Sequence, residues 1–153
     1  MKQIKLTRNR SAIVDDSDYT KLSEYKWYCT HNGYAQRDIW KPRSKILMHR
    51  YLLKAKKGEN IDHINGNPLD NRRKNLRICN QSQNTANGKI RKNNKSGYKG
   101  VSYNKKFAKW EAYITKDYKH IFLGYFDKKN DAAKAYNTKA KEVFGKFANL
   151  NKL

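Results

Sequence analysis

The sequence predicts an α+β fold built from two small, basic modules. Short β-prone runs separated by Asp, Asn, Gly and Pro dominate residues 1–54. A strand–loop–strand–helix unit follows, and three strands ahead of an alanine-rich helix occupy residues 98–144. Hydrophobic residues make up 37% of the 153, which is too few for one large core. We therefore expect small antiparallel sheets, each covered by a helix.

The first region is expected to contain five short strands, at 4–6, 11–14, 26–29, 33–37 and 45–48. A short helix is predicted from Asp18 to Glu24, and one or two buried turns from Met48 to Leu53. Trp27 is expected in the core.

The next unit begins with a short strand at 60–61 and continues through a long polar loop, 62–74. A second strand at 76–79 returns along the first. Asn80 can cap a helix over 81–87. This order of elements is strand, loop, strand, helix.

Residues 88–97, rich in Gly, Asn, Ser and Lys, predict a linker. Beyond it, strands are predicted at about 98–103, 109–115 and 120–126, followed by a helix over 128–144. Asp127 is expected to cap that helix at its start and Gly145 at its end. The aromatic residues Trp110, Phe122, Phe126, Tyr136 and Phe144 are expected mostly between sheet and helix.

The net charge of +22 points to a polyanionic partner. Residues 1–87 carry 18 Lys and Arg against 8 acidic residues, and residues 88–153 carry 17 against 5, so both modules are basic. Nucleic acid is the first candidate and an anionic membrane surface the second. We expect no bilayer-spanning segment, no secretion signal and a cytoplasmic location. Cys29 and Cys79 form no CxxC pair, which predicts reduced thiols rather than a zinc site.

The segment from Asp62 to Asn84 concentrates the reactive side chains. Asp62 is followed directly by His63, and several asparagines and arginines lie downstream. Carboxylate and amide oxygens suit Mg²⁺ or Mn²⁺, which take their other ligands from water and phosphate. A neutral imidazole near its ordinary pKa of about 6.5 can take a proton from water. Together these groups predict metal-assisted hydrolysis of a phosphodiester.

IDHINGNPLDNRRKNLRICNQSQNTAN resembles the core of the HNH endonucleases of the ββα-metal class, in particular the phage and intron homing branch. The resemblance covers about residues 44–87 and includes the upstream Met48-His49-Arg50. Asn75 and Asn84 follow His63 at distances of 12 and 21 residues, which fit the family pattern. The resemblance implies an HNH domain over 1–87, with its ββα-metal core at about 59–87.

That resemblance implies a role for each matching residue. His63 is expected as the general base, Asp62 and Asn84 as metal ligands, and Asn75 as the residue that holds the loop. Asn71 and Asn67 are expected to fix the loop backbone. Asn87 is the alternative to Asn84 as the second metal ligand. His49 is either structural or a phosphate contact. From the net charge, we expect DNA phosphates as the partners of Arg50, Arg72, Arg73 and Arg77, with a solvated surface as the alternative for the last three.

Residues 96–150 resemble the Apetala/ethylene-response-factor DNA-binding domain, through SGYKGVSY, KWEAYI, IFLGYFD, DAAKAYN and FGKFANLN. The resemblance implies a domain over 98–153 whose three-stranded sheet enters the major groove. The family's arginines are largely replaced here, so readout that favours A·T pairs through Asn104 is a hypothesis. The implied DNA contacts are Lys99, Gly100, Ser102, Asn104, Lys106, Lys109, Trp110, Thr115 and His120.

The reading that follows is a DNA endonuclease of the homing or mobile-element type. The partner is double-stranded DNA. A monomer with one site is expected to nick one strand, and a double-strand break would need two visits or a second copy, so a dimer stays open. Two alternatives remain open: a DNA-binding regulator with an inactive nuclease fold, and a basic protein associated with RNA or the ribosome.

Overall fold

A computed structural model describes all 153 residues, which form two compact units, Met1–Asn80 and Gln81–Leu153. Several small antiparallel sheets and a few helices build both, which confirms the predicted α+β class. The helix predicted over 81–87 belongs to the second unit. None of the helices combines the length and apolar character needed to cross a membrane.

The first unit contains three small sheets and two helices. A hairpin of β1 and β2 is followed by α1, by the sheet β3-β4-β5, by α2 and by the antiparallel pair β6 and β7. Their bounds are β1 Lys2–Leu6, β2 Arg10–Val14, α1 Asp16–Ser23, β3 Tyr28–Cys29, β4 Ala35–Ile39, β5 Ser44–Leu47, α2 Met48–Leu53, β6 Asn60–His63 and β7 Leu76–Cys79.

The core of this unit gathers one or two apolar side chains from almost every element. Val14, Leu22 and Met48 are fully buried, and Leu76 brings the β6–β7 pair into the same cluster. Trp27 lies in this core as predicted, and its indole Nε1 donates to the Leu22 carbonyl at 2.8 Å. The core therefore anchors both the end of α1 and the strand pair that carries the candidate site.

The second unit consists of α3, a three-stranded antiparallel sheet and the long helix α4. The strand order is β10-β9-β8. Ala132 and Ala133 of α4 pack against Val101 and Ala112 of the sheet, because small side chains allow a close approach. The bounds are α3 Gln81–Asn87, β8 Val101–Asn104, β9 Lys109–Lys116, β10 Lys119–Phe126 and α4 Lys129–Phe144.

Two local predictions in this unit were wrong. The first strand begins at Val101 rather than near 98, because Gly100 has a φ of +67° and lies so close to the Tyr136 ring that a Cβ would collide with it. The cap of α4 is Lys128, without a side-chain bond, since Asp127 forms an ion pair with Lys109 instead. Gly145 ends the helix as predicted.

The predicted linker is partly ordered by its own side chains. Asn94 accepts a bond from the Gly97 amide at 2.7 Å and donates to the Tyr98 carbonyl at 2.9 Å. Ser96 is buried and bonds to both Asn94 and Tyr98. The segment 94–98 is therefore a shaped turn that leads into the sheet.

Candidate active site

Asp62 and His63 are the last two residues of β6, and both side chains are 6% exposed. Across the antiparallel pair, Asp62 lies opposite Arg77 and His63 opposite Leu76. Arg77 donates from Nε and Nη2 to Asp62 Oδ2, at 2.8 and 2.6 Å. Strand pairing thus brings a carboxylate and an imidazole to the end of a short ladder, with a guanidinium beside them.

Asn75 holds the loop that follows His63. Its Oδ1 accepts from the Asn65 amide at 3.0 Å, and its Nδ2 donates to Asn65 Oδ1 at 3.0 Å and to the Asp70 carbonyl at 2.8 Å. The Ile64 amide also donates to the Asn75 carbonyl at 2.9 Å. One amide side chain therefore closes the two ends of the loop, next to the imidazole. The structure brings together Asp62, His63 and Asn75.

Asp70 is a central residue of this loop that the sequence analysis missed. It is 1% exposed, accepts from Asn65 Nδ2 at 2.8 Å and forms an ion pair with Arg72. The hydrogen bond from Arg72 is the largest influence that lowers the pKa of this carboxyl. The available signal was an acidic residue two positions ahead of a run of basic residues inside a polar loop.

The loop is also tied to the N-terminal hairpin. The Ile13 amide donates to the Leu69 carbonyl, and the Asn71 amide donates to the Ile13 carbonyl, both at 2.8 Å. Asn67 Oδ1 accepts from the Leu69 amide at 3.1 Å. The backbone of the loop is therefore fixed at several points, by β2 on one side and by its own asparagines on the other.

A small aromatic cluster surrounds the His63 imidazole. The His49 ring meets it edge-on at a centroid distance of 5.0 Å, and the Tyr34 ring lies at 5.9 Å. Burial lowers the pKa of His63, while a hydrogen bond with the Asn71 side chain and the charges of Asp62 and Asp70 act against that shift. Burial thus favours the neutral imidazole, which is the form that can accept a proton.

Burial disfavours the charged form of His49 strongly. Burial, together with His63 and Arg50, lowers the pKa of His49 to about 3. His49 lies on α2 and is 6% exposed, and the centroids of its ring and of the Tyr34 ring are 5.4 Å apart. Of the two roles left open for His49, this environment fits the structural one.

The arginines expected at DNA phosphates have partners within the chain. Arg72 pairs with Asp70, and Arg77 with Asp62. Arg73 donates from Nε and Nη2 to the two carboxylate oxygens of Asp18, each at 2.8 Å. Arg50 binds three backbone carbonyls between residues 55 and 59. These guanidiniums hold the site's own backbone and carboxylates in place.

Asn84 lies half-buried on α3, five residues after β7 ends at Cys79. The end of α3 is held by its own unit. Lys99 donates from Nζ to the carbonyls of Ala86 and Gly88, and Asn149 Nδ2 donates to the Asn87 carbonyl at 3.1 Å. Burial lowers the pKa of Lys99 to about 8. Lys99 therefore anchors the C-terminal end of the helix that carries Asn84, and its contact with DNA stays a prediction.

The open face of the three-stranded sheet holds most of the other predicted DNA contacts. Ser102 Oγ donates to Glu111 at 3.0 Å, Asn104 Nδ2 donates to it at 2.9 Å, and Tyr113 also bonds to it. Asn104, whose hydrogen bond is the main influence, and the two hydroxyls keep the pKa of Glu111 low. Glu111 is a second residue that the sequence analysis missed.

The remaining predicted contacts differ in their exposure and in their partners within the chain. Lys106 is exposed, and Thr115 and His120 are exposed and bonded to each other at 3.0 Å. Trp110 instead packs toward α4, against the core of the second unit. Lys109 is in an ion pair with Asp127.

Comparison with known proteins agrees with the geometry. The family described as HNH endonuclease matches residues 48–86. The chain is 33% identical over 146 residues to a protein of Acanthamoeba polyphaga mimivirus described as "Uncharacterized HNH endonuclease L560", which covers 93% of this chain and 75% of the relative. It is 38% identical over 92 residues to "Protein 3.8" of Escherichia phage T7, which covers 60% of this chain and 75% of the relative. No solved structure matches.

These matches, together with the Asp62-His63 pair at the end of a ββ ladder, define the class of protein. The chain belongs to the HNH endonuclease family. It is a nuclease of a family that acts on DNA and generally uses a divalent metal ion.

Proposed function

We propose that this protein is a metal-dependent DNA endonuclease of the homing or mobile-element type, with its second unit positioning it on double-stranded DNA. The observation that carries the proposal is the pinned loop: Asn75 fixes the segment that follows a buried, neutral His63. A rigid loop around a base is what general-base catalysis needs, because a misplaced imidazole loses most of its effect.

The donor set of the chain fits a small, hard cation. The structure contains no group of three or more His, Cys, Asp or Glu side chains that could enclose a metal. The proposed protein ligands are only two oxygens, from Asp62 and Asn84. Such a set suits Mg²⁺ or Mn²⁺, which complete their coordination with water and phosphate oxygens. Asp62 is already ion-paired with Arg77, so the cation competes with this guanidinium for the carboxylate.

In the proposed reaction His63 takes the proton from the attacking water. Asn75 keeps the loop beside the imidazole closed, and Asp62 and Asn84 supply the metal ligands. A divalent ion held by these two residues would stabilise the negative charge that develops on the phosphoryl group and on the leaving 3′ oxygen. The water oxygen bonds to phosphorus, the P–O3′ bond breaks, and the 3′ oxygen takes a proton from solvent water. The products are 5′-phosphate and 3′-hydroxyl ends, and one site in a monomer nicks one strand.

The test is conversion of supercoiled plasmid to the nicked form in Mg²⁺ or Mn²⁺, with a matched pair of histidine variants. His63→Ala should remove nicking, by a factor of roughly 10³ or more, at the upper part of the range for loss of a general base. His31→Ala, at an exposed position of the same unit, should nick like the wild type. Binding measured in EDTA should be nearly equal for the three proteins.

Two outcomes would contradict the proposal. One is substantial nicking by a clean His63→Ala preparation, which would remove the assigned base. The other is tight DNA binding by the wild type with no cleavage in any divalent metal, which is the behaviour of a DNA-binding regulator with an inactive nuclease fold.

A further inference from the structure

The open face of the second unit's sheet carries three exposed aromatic side chains, of which the middle one, Tyr125, contacts the other two. Phe107, Phe122 and Tyr125 are 49%, 54% and 42% exposed. The Phe107 and Tyr125 ring centroids are 5.0 Å apart, and those of Phe122 and Tyr125 are 4.9 Å apart. We call these residues the aromatic strip. Phe122 was expected between sheet and helix, and that expectation was wrong.

A β-bulge builds the strip. Phe122 pairs with Tyr113 and Tyr125 with Glu111, and the register shifts between Phe122 and Gly124. In a regular strand, residues three apart point to opposite faces of the sheet. The extra residue in the bulge, Leu123, packs toward α4, so Phe122 and Tyr125 both reach the open face. Sequence alternation alone therefore assigns Phe122 to the wrong side.

The polar groups of this face are bound to one another. Asn104 donates from Nδ2 to Glu111, while its Oδ1 accepts from the backbone amides of Lys106 and Phe107. Reading adenine would require both ends of this amide at once. Asn104 therefore shapes the β8–β9 turn, and the readily available contact surface of the face is apolar.

The charge around the strip selects the partner. Exposed lysines lie at both ends of the sheet, and Lys106 Nζ is 5.4 Å from the centroid of the Phe107 ring. Lysines around an apolar centre complement a polyanion that presents apolar groups between its charges. The lysines are Lys105 and Lys106 in the β8–β9 turn, and Lys116 and Lys119 beside the β9–β10 turn.

The major groove of duplex DNA presents such a surface. Three strands span about 10 Å between their outer members, which fits a groove about 12 Å wide. The apolar group that base pairs present in this groove is the 5-methyl of thymine, and phosphates line both walls. The lysines would meet the phosphates, and the rings would meet the methyl groups.

We propose that the aromatic strip contacts thymine methyl groups in the major groove and gives the second unit a preference for thymine-containing sites. The proposal rests on the proposed role of this unit in binding duplex DNA. It requires no part of the metal site. The preference for A·T pairs therefore comes from apolar contacts of Phe107, Phe122 and Tyr125, and the amide of Asn104 is not its source.

The test compares two duplexes that differ only in the methyl group. The full-length protein is titrated in EDTA with a thymine-rich duplex and with the same duplex carrying deoxyuridine in place of thymidine. Wild type should bind the thymidine duplex more tightly, by about fourfold for each methyl group that is covered. Phe122→Ala and Tyr125→Ala should weaken binding to the thymidine duplex and bring the ratio of the two affinities close to one.

Tyr118→Ala is the matched control, because Tyr118 is an aromatic residue of the β9–β10 turn that is 88% exposed. It should keep the wild-type ratio. Equal wild-type affinity for the two duplexes, or a ratio that survives in the strip variants, would overturn the proposal. So would dissociation of a dimer by the strip variants, since a second copy would then cover the strip. Because no metal is present, an inactive nuclease site leaves this result unchanged.

Discussion

The candidate site around the β6–β7 loop of the first unit and the open face of the sheet in the second unit use positive charge in opposite ways. Arg72 and Arg73 of the loop and Arg77 of β7 are each paired with a carboxylate of the chain, and the carboxylates are largely buried. On the sheet, lysines are exposed around an apolar centre. A high net charge therefore does not show which individual basic residues bind the polyanionic partner. In the first region, planar guanidiniums stabilise the structure by binding carboxylates of the chain. In the second, flexible ammonium groups are exposed and can bind a partner.

The largest expected effect that tests this comparison comes from the loop itself. Asn75→Ala removes the three side-chain hydrogen bonds that close the loop. It should lower the free energy of unfolding by about 2–4 kcal/mol, because buried partners lose their bonds. It should also reduce nicking by roughly 10²-fold, since the loop beside His63 is no longer fixed.

Thermal unfolding and plasmid nicking would measure these two effects in parallel. Asn32→Ala, at an exposed turn position, should change neither. Wild-type nicking by a correctly folded Asn75→Ala protein would show that the loop does not need this amide, and the contrast between a rigid first region and an open second one would fail.

The sequence predicted those parts of the fold that local patterns determine. Alternation and turn residues indicated β9 and β10, and helical spacing with Gly145 indicated α4 and its end. The adjacency of Asp62 and His63 on β6 was likewise visible. These features depend on residues within a few positions of one another, so a single sequence contains them.

The parts that were missed depend on partners far along the chain or on one inserted residue. Asp70 matters because it meets Asn65 and Arg72 in a loop tied to β2. The sequence did not show that the ammonium of Lys99 binds carbonyls at the end of α3, and its contact with DNA stays a prediction. The bulge at Leu123 moves Phe122 to the open face, and no periodicity signals it.

Acid should weaken the first unit selectively. The pKa of His49 is about 3 in the folded chain, against an ordinary value of 6.5, because of burial. The contribution of His49 to stability is therefore nearly constant well above pH 6.5 and falls as the pH drops toward 3, since the unfolded chain binds the proton first. The slope approaches 1.4 kcal/mol per pH unit, or about 2 kcal/mol between pH 6.5 and 5. His63, whose pKa is also lowered, acts in the same direction.

Chemical denaturation at pH 7 and pH 5 would measure this loss. His49→Phe keeps a ring against His63 and Tyr34 and should reduce the pH dependence, whereas His31→Phe at an exposed position should not. In the second unit, Glu111 has a lowered pKa and so acts only below about pH 4.5. A wild-type stability that is flat from pH 7 to 5 would remove the contrast in acid sensitivity.

The smallest expected effect separates the two kinds of charge on DNA. If about eight phosphates are neutralised, the logarithm of affinity should fall with the logarithm of salt concentration at a slope of roughly −7. Lys106→Ala and Lys119→Ala should each make that slope shallower by about 1, since each removes one exposed ammonium beside the sheet. Arg73→Ala removes a guanidinium bound to Asp18, so it should lower stability while leaving the slope unchanged. Titrations of one duplex at several salt concentrations in EDTA would show this difference. If Arg73→Ala made the salt dependence shallower and the two lysine variants did not, Arg73 and not these lysines would be the residue that contacts DNA phosphates.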